Sequence, residues 1–184
     1  MTVASLHAEF EALKVDARDL LAGVGDAAFN WRRAPGTWSM AQCVDHLNLV
    51  GPMYLRAIDR AIERGRSKEL LGAAPFRYGL LESWAVRVMD APPMFRIKAR
   101  RAYAPAVDRR PEEALTAFLA LQDEFQQRLA RADGLDLGKV KARSPFTRHI
   151  RFSLGKAIAA MAAHQRRHVW QARQLRHDAG FPSG

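Results

Sequence analysis

Three histidines carry the chemistry this sequence offers. His164 and His168 stand four residues apart in AIAAMAAHQRRHVWQARQL, Ala157 to Leu175, a stretch that reads as a helix. At about 100° per residue, positions four apart lie within roughly 40° of each other on a helix surface, so both imidazoles can reach one ion. Leu154, Ala157, Met161, Gln171 and Leu175 fall on the same stripe and turn the pair toward a packed interior, whereas Arg166, Arg167 and Arg173 fall away from it and are expected in water. A third histidine, His46, shares the inward stripe of another helix with Gln42, Cys43, Leu49, Val50, Met53 and Ala57, leaving Asp45, Asn48, Arg56 and Arg60 outside or at its edges. Unpaired imidazoles inside a core cost roughly 1 to 3 kcal/mol of desolvation unless something bonds them. Three inward histidines therefore make a metal site the leading reading.

Three neutral imidazoles on a divalent ion leave a position open to water or substrate, the arrangement of a catalytic site rather than a closed structural one. Zinc and nickel both suit imidazole. Either ion lowers the pKa of bound water or of an incoming thiol and so makes a nucleophile near neutral pH. Cys43, one turn before His46, is a candidate fourth ligand, although a small buried thiol is the commoner role for such a residue. Gln42 and Gln171, each one turn from a histidine, are candidates for hydrogen bonds to imidazole or bound water, with packing or capping as the alternative. Gln165 stands where the zinc metalloprotease motif carries its general-base glutamate, so peptide hydrolysis by that route is disfavoured. No serine, histidine and acid arrangement and no Gly-rich phosphate loop is legible. His7 reads as a surface or capping residue, and His149 and His177 as solvated.

These side chains need long helices to position them. Leu6, Phe10, Leu13, Ala17 and Leu20 recur at helical spacing from about Thr2 to Leu21, and Gly23 and Gly25 end that helix. FNWRRAPGTW follows as a loop, packed down by Trp31 and Trp38. The second long helix opens at Ser39, with Gln42 at capping-box spacing, and runs to about Arg64 with a kink expected at Gly51-Pro52. Phe76 to Val88 reads as a short helix using Leu80, Leu81, Trp84 and Val88, stopped by Pro92-Pro93. MFRIKARRAY alternates enough to be extended and is expected to be a crossover segment, a candidate lid or rim over a site. A third long helix starts near Pro111, with Glu112 and Glu113 in its first turn, and stops before Gly134. A basic loop from Gly138 to Arg151 leads to Ser153, the expected cap of the last helix, which ends near Gly180. The expected fold is all-α: a four-helix bundle with a long crossover between the second and third helices, in a single domain spanning residues 1–184.

Composition narrows the classes. The 29 Lys and Arg against 19 Asp and Glu give a net charge of +10, but the basic residues are scattered. The doublets Arg100-Arg101 and Arg109-Arg110 are not interleaved with aromatics as in a nucleic-acid module, so nucleic acid is not the expected partner. One cysteine excludes an internal disulfide and a Cys-based zinc cluster. MTVASLHAEFEALK lacks the apolar core of a signal peptide, and no apolar run approaches the ~20 residues of a membrane span. A cytoplasmic protein with no membrane partner is expected.

TWSMAQCVDHL, with Trp38, Ser39, Gln42 and His46, followed much later by HQRRHVWQ, with His164, Arg167, His168 and Gln171, resembles the DinB/YfiT-like superfamily over nearly the whole chain. The resemblance implies a helical bundle, often a homodimer, holding a nickel or zinc ion on three histidines that map onto His46, His164 and His168. Some members are metal-dependent transferases or isomerases that use low-molecular-weight thiols. It thus implies a metal-dependent enzyme acting on small molecules, an S-transferase with such a thiol as cosubstrate. Arg167 or an arginine of the 96–101 segment would then hold a cosubstrate carboxylate. A non-catalytic, metal-binding stress-response protein with a structural or sensing role is the alternative.

Overall fold

Two capping boxes fix the starts of the first two long helices. The Thr2 hydroxyl accepts from the Ser5 amide at 3.1 Å and opens α1 (Val3–Leu21). Ser39 accepts from the Gln42 amide at 3.1 Å, and the Gln42 side chain accepts from the Ser39 amide at 3.2 Å, opening α3 (Met40–Ser67). Each box satisfies backbone donors that the helix itself leaves orphaned. Between them lies α2 (Asp26–Asn30), a short helix where the sequence reads partly as loop. Then come α4 (Leu80–Met89), α5 (Pro111–Arg131), strands β1 (Lys141–Arg143) and β2 (Arg151–Ser153), and α6 (Leu154–Arg176). The structure is a computed structural model that describes residues 1–92, 105, 108–147 and 149–182. The expected crossover MFRIKARRAY lies outside the described residues.

The protein is mostly helical, and the four long helices pack pairwise: α3 against α5 and α6, and α1 against the same two. Phe10 and Phe125 stack at 4.9 Å where α1 meets α5. The alanine-rich segment of α6 has no solvent face. Ala157 through Ala163 are all buried, enclosed by α1, α3, α4 and the β-strands. Small side chains let those neighbours approach from every side, the pattern of a helix in the middle of a core. α3 does not end at Gly51-Pro52 but runs through it as one helix. A Cβ on Gly51 would lie 2.4 Å from a methyl of Leu121, so α5 approaches closest where α3 has no side chain.

Four expectations are corrected here. The basic loop contains the antiparallel pair β1–β2, with Lys141 opposite Ser153 and Arg143 opposite Arg151, so the fold is not purely helical. Such a pair is marginal alone, and this one is supported by α3 and α6. Leu80, Leu81 and Trp84 do not pack inward: they are 89%, 83% and 59% exposed. Leu49, placed on the inward stripe, is largely exposed, and Asp45, placed at its edge, is buried. Ser153 stands at the N-cap of α6, but its hydroxyl is spent on Glu82 instead of on the helix.

Glu82 joins α4 to the start of α6. Its carboxylate accepts from the Ser153 amide at 2.8 Å and the Ser153 hydroxyl at 2.7 Å, and Lys141 stands 3.4 Å away. Burial pushes its pKa up, but the Ser153 bonds and the Lys141 charge outweigh this and hold it below the ordinary carboxylate value of 4.5. Glu82→Ala is expected to lower the unfolding free energy by about 1 to 3 kcal/mol at neutral pH, read by urea denaturation. Because the folded pKa is depressed, that contribution is present above the unfolded pKa. The gap between wild type and variant should therefore close as pH falls below 4.5 toward the folded value.

Candidate metal centre

α3 and α6 cross so that their histidines meet. His46, buried near the start of α3, lies with its ring centre 5.3 Å from that of His164 and 4.8 Å from that of His168. The Nε2 atoms of His164 and His168 are 3.1 Å apart. Each histidine presents one ring nitrogen to a common space, all three within 4.8 Å of one another. An ion bound at about 2.1 Å by imidazoles spaces neighbouring nitrogens by about 3 Å, so the α6 pair stands at ligand spacing. A hydrogen bond between those two Nε2 atoms would pair one nitrogen of each ring. It would leave the buried Nδ1 atoms of both without a partner, as they are here.

The site holds these rings neutral. Burial, followed by the charges of His46 and Arg167, pushes the His164 pKa from 6.5 to about 3. His168 is also pushed well down, by burial first and then by His164, His46 and Arg167, with the Gln171 side-chain oxygen, an acceptor for the protonated ring, working the other way. Neutral imidazole is the form that ligates, so protons do not compete for the site near neutral pH. Trp38 walls it on one side, its ring 5.5 Å from that of His168 and nearly parallel, and 5.0 Å from that of His46.

The other candidates separate. Cys43 is fully buried, its thiol pushed far up by burial, and it does not belong to the histidine cluster. Gln42 is engaged in the capping box through its carbonyl oxygen. Arg167, expected in water, is 8% exposed, and its guanidinium reaches the Val88 carbonyl at 3.4 Å. Arg166 is no free surface cation either: it forks onto Asp90 at 2.9 and 2.8 Å and reaches Glu9 at 2.9 Å, tying α6 to α4 and α1. His149 and His177 are exposed and His7 partly so. The 96–101 segment lies outside the described residues. Sequence reasoning missed one neighbour of the site and the burial of the residue before His46. Trp38 was read only as packing, although a tryptophan directly before a helix cap sits at the level of that helix's first turns. Asp45, beside His46, is buried with Arg109 at 3.1 Å, and nothing in its spacing marks it.

The sequence model of the DinB superfamily matches residues 9–172. The chain belongs to the DinB superfamily. The match runs from α1 to the last turns of α6 and contains all three histidines of the cluster. No curated protein and no solved structure matches the chain.

In the metal-free protein, the unfolded chain binds protons on His164 and His168 near pH 6.5 while the folded chain does not. Stability should therefore be highest above 6.5 and fall as pH drops toward the folded value, about 3 for His164. By pH 5.5 the loss is expected to be about 1 kcal/mol per histidine, measured by urea denaturation of chelator-treated protein before the carboxylates titrate. Replacing both by Gln should flatten the curve between pH 7 and 5.5.

Proposed function

We propose that this DinB superfamily protein is a metal-dependent enzyme acting on small molecules, an S-transferase that takes a low-molecular-weight thiol as cosubstrate and uses zinc or nickel held by His46, His164 and His168. The observation that carries this reading is the donor set: three histidines gathered from two helices, with Cys43 outside the cluster. Closed structural sites use four protein ligands, whereas three leave room for a reactant. A divalent ion bound there supplies Lewis acidity and lowers the pKa of a thiol or water that joins it.

The chain's own residues prepare the site for such chemistry. Burial keeps the α6 imidazoles unprotonated. Trp38 excludes water from the face it covers, which strengthens charge interactions inside. Arg167 places a positive charge beside the histidines and suits a carboxylate of the thiol or of its electrophilic partner. The four long helices are the frame of the four-helix bundle implied by the family.

Metal content decides the reading. Protein purified without an affinity tag is expected to carry near-stoichiometric zinc or nickel by mass spectrometry, and His168→Ala to bind it more than ~100-fold more weakly. The metal-loaded wild type should then consume a thiol in the presence of an electrophile, and lose that turnover on chelation. Metal without thiol turnover would instead favour a sensing or structural role. Absence of metal from both proteins, even after incubation with both ions, would reduce the histidines to core residues.

We also infer that the chain forms a homodimer through the outer face of α4. Leu80, Leu81 and Trp84 lie exposed within five residues of one another, more apolar surface than a short solvated helix ordinarily shows. Sedimentation equilibrium should give a dimer for the wild type and a monomer for Leu81→Glu with Trp84→Glu. A wild-type monomer at micromolar concentration would refute the pairing.

A further inference from the structure

Among the described residues, a group of six cations lies far from the histidines. Arg64 and Lys68 at the end of α3, Lys139 just before the hairpin, and Lys141, Arg143 and Arg151 on β1 and β2 all line one cleft of about 420 Å³. All six are exposed, and none of the residues lining the cleft is acidic. Lys139 and Lys141 have partners at the margin, Asp136 at 3.3 Å and Glu82 at 3.4 Å. Among the described residues no carboxylate pairs with Arg64, Lys68, Arg143 or Arg151.

Two features separate this cleft from an ordinary solvated basic face. The first is the hairpin register. Arg143 stands directly opposite Arg151, and Lys141 projects on the same side two residues earlier. Like charges directly opposite across an antiparallel pair are destabilising, and a two-stranded sheet has little stability to lose. The second is convergence. Cations at the end of a helix complement its dipole, but the dipole amounts to only about half a charge, far short of six. Here the cations come from three parts of the chain and face one hollow. Arg64 is fixed against the strand by donating to the Lys141 carbonyl at 3.2 Å. The floor is Gly65 and the buried Val140.

The cleft has the volume of a small-ligand site, in the range of about 300 to 1,000 Å³. Its lining selects charge. We propose that the cleft between the end of α3 and the β1–β2 hairpin is a binding site for a small anion carrying two or three linked phosphate groups, free or as part of a nucleotide. Linked phosphates present several acceptor oxygens within a few bond lengths, so one ligand bridges arginines and lysines from α3 and the hairpin at once. A single phosphate reaches fewer of them. A duplex backbone asks for cations strung along a face, whereas these surround a hollow. His46 lies eighteen residues before Arg64 on α3, about 27 Å along the helix, so this site is separate from the metal centre.

The test is calorimetric titration of the full chain, at physiological salt, with inorganic triphosphate, ATP, orthophosphate and a short DNA duplex. Two double variants are compared with wild type: Arg143→Gln with Arg151→Gln in the cleft, and Arg18→Gln with Arg32→Gln outside it, which remove the same charge. Saturable binding of triphosphate is expected, about tenfold or more weaker in the cleft variant and within about twofold of wild type in the other. Binding of ATP tighter than triphosphate would assign the ligand to the nucleotides, and equal binding to the phosphate chain alone. Without ligand the cleft variant should melt no lower than wild type, because it relieves a like-charge pair, and saturating triphosphate should raise the wild-type melting temperature by about 5 °C. No binding of either triphosphate compound, equal weakening in both double variants, orthophosphate binding as tightly as triphosphate, or tighter binding of the duplex would overturn the proposal.

Discussion

Everything in this fold depends on enclosing α6 from all sides. From Ala157 to Ala163 it is built from alanine, isoleucine and methionine with no polar face, so it is stable only where neighbours cover its whole circumference. α1 and α3 cover two sides, and α4 with the strands covers the rest. The small side chains draw these neighbours close. That closeness brings His46 of α3 into contact with histidines that α6 presents one turn further along. The clamp at Arg166 follows from the same constraint. Where α6 emerges from its alanine segment, its polar side chains still meet protein on both sides, and Asp90 and Glu9 meet the guanidinium there.

The histidine cluster is expensive in the form shown. Three imidazoles, the Nδ1 atoms of two of them unpartnered, lie beside Arg167. The amide of Gln165, next to His164 in the chain, is fully buried and also unpartnered. A core built for stability alone would replace such groups with hydrocarbon, since each buried orphan costs about 1 to 3 kcal/mol. Depressed imidazole pKa values express the same cost as a preference for the neutral ring. A cation shared by the three rings would bond the nitrogens that face the common space and offset part of the cost of burying the imidazoles, which is the physical reason to favour a metal over a packed histidine core.

What the sequence revealed and what it hid divide along a physical line. The spacing of His164 and His168, the Ser39–Gln42 box and the apolar stripe of α1 are local signals, set by residues within one or two turns, and the structure shows each of them. Stripe reasoning failed where a helix has no single solvent side. Arg167 does lie off the histidine stripe, yet it is buried, because off the stripe on α6 means toward another neighbour. The hairpin was illegible for a different reason. Its strands have three residues each, alternate only once and carry arginine or lysine at the outward positions, so their hydropathy is that of a loop. The outward face of α4 was misread because its leucines and tryptophan look like core residues, and only the coordinates show that nothing described here covers them.

α3 links the two chemically loaded regions and keeps them apart. At physiological salt exposed charges are screened over about 8 Å, so the basic cleft at one end of a helix of this length has little electrostatic influence on the imidazoles at the other. Arg167 acts on the same rings from within the core, where screening is weak, and it appears among the causes of both depressed pKa values. Any coupling between cleft and centre would thus have to be mechanical, a shift of α3 along its axis. Two features resist that shift. The Ser39–Gln42 box pins the start of the helix, and Leu121 sits where a Cβ on Gly51 would be, so sliding α3 by even one residue would drive a side chain into α5. The geometry of the histidine cluster is therefore set by packing at the middle of α3 and is insulated from whatever occupies its far end.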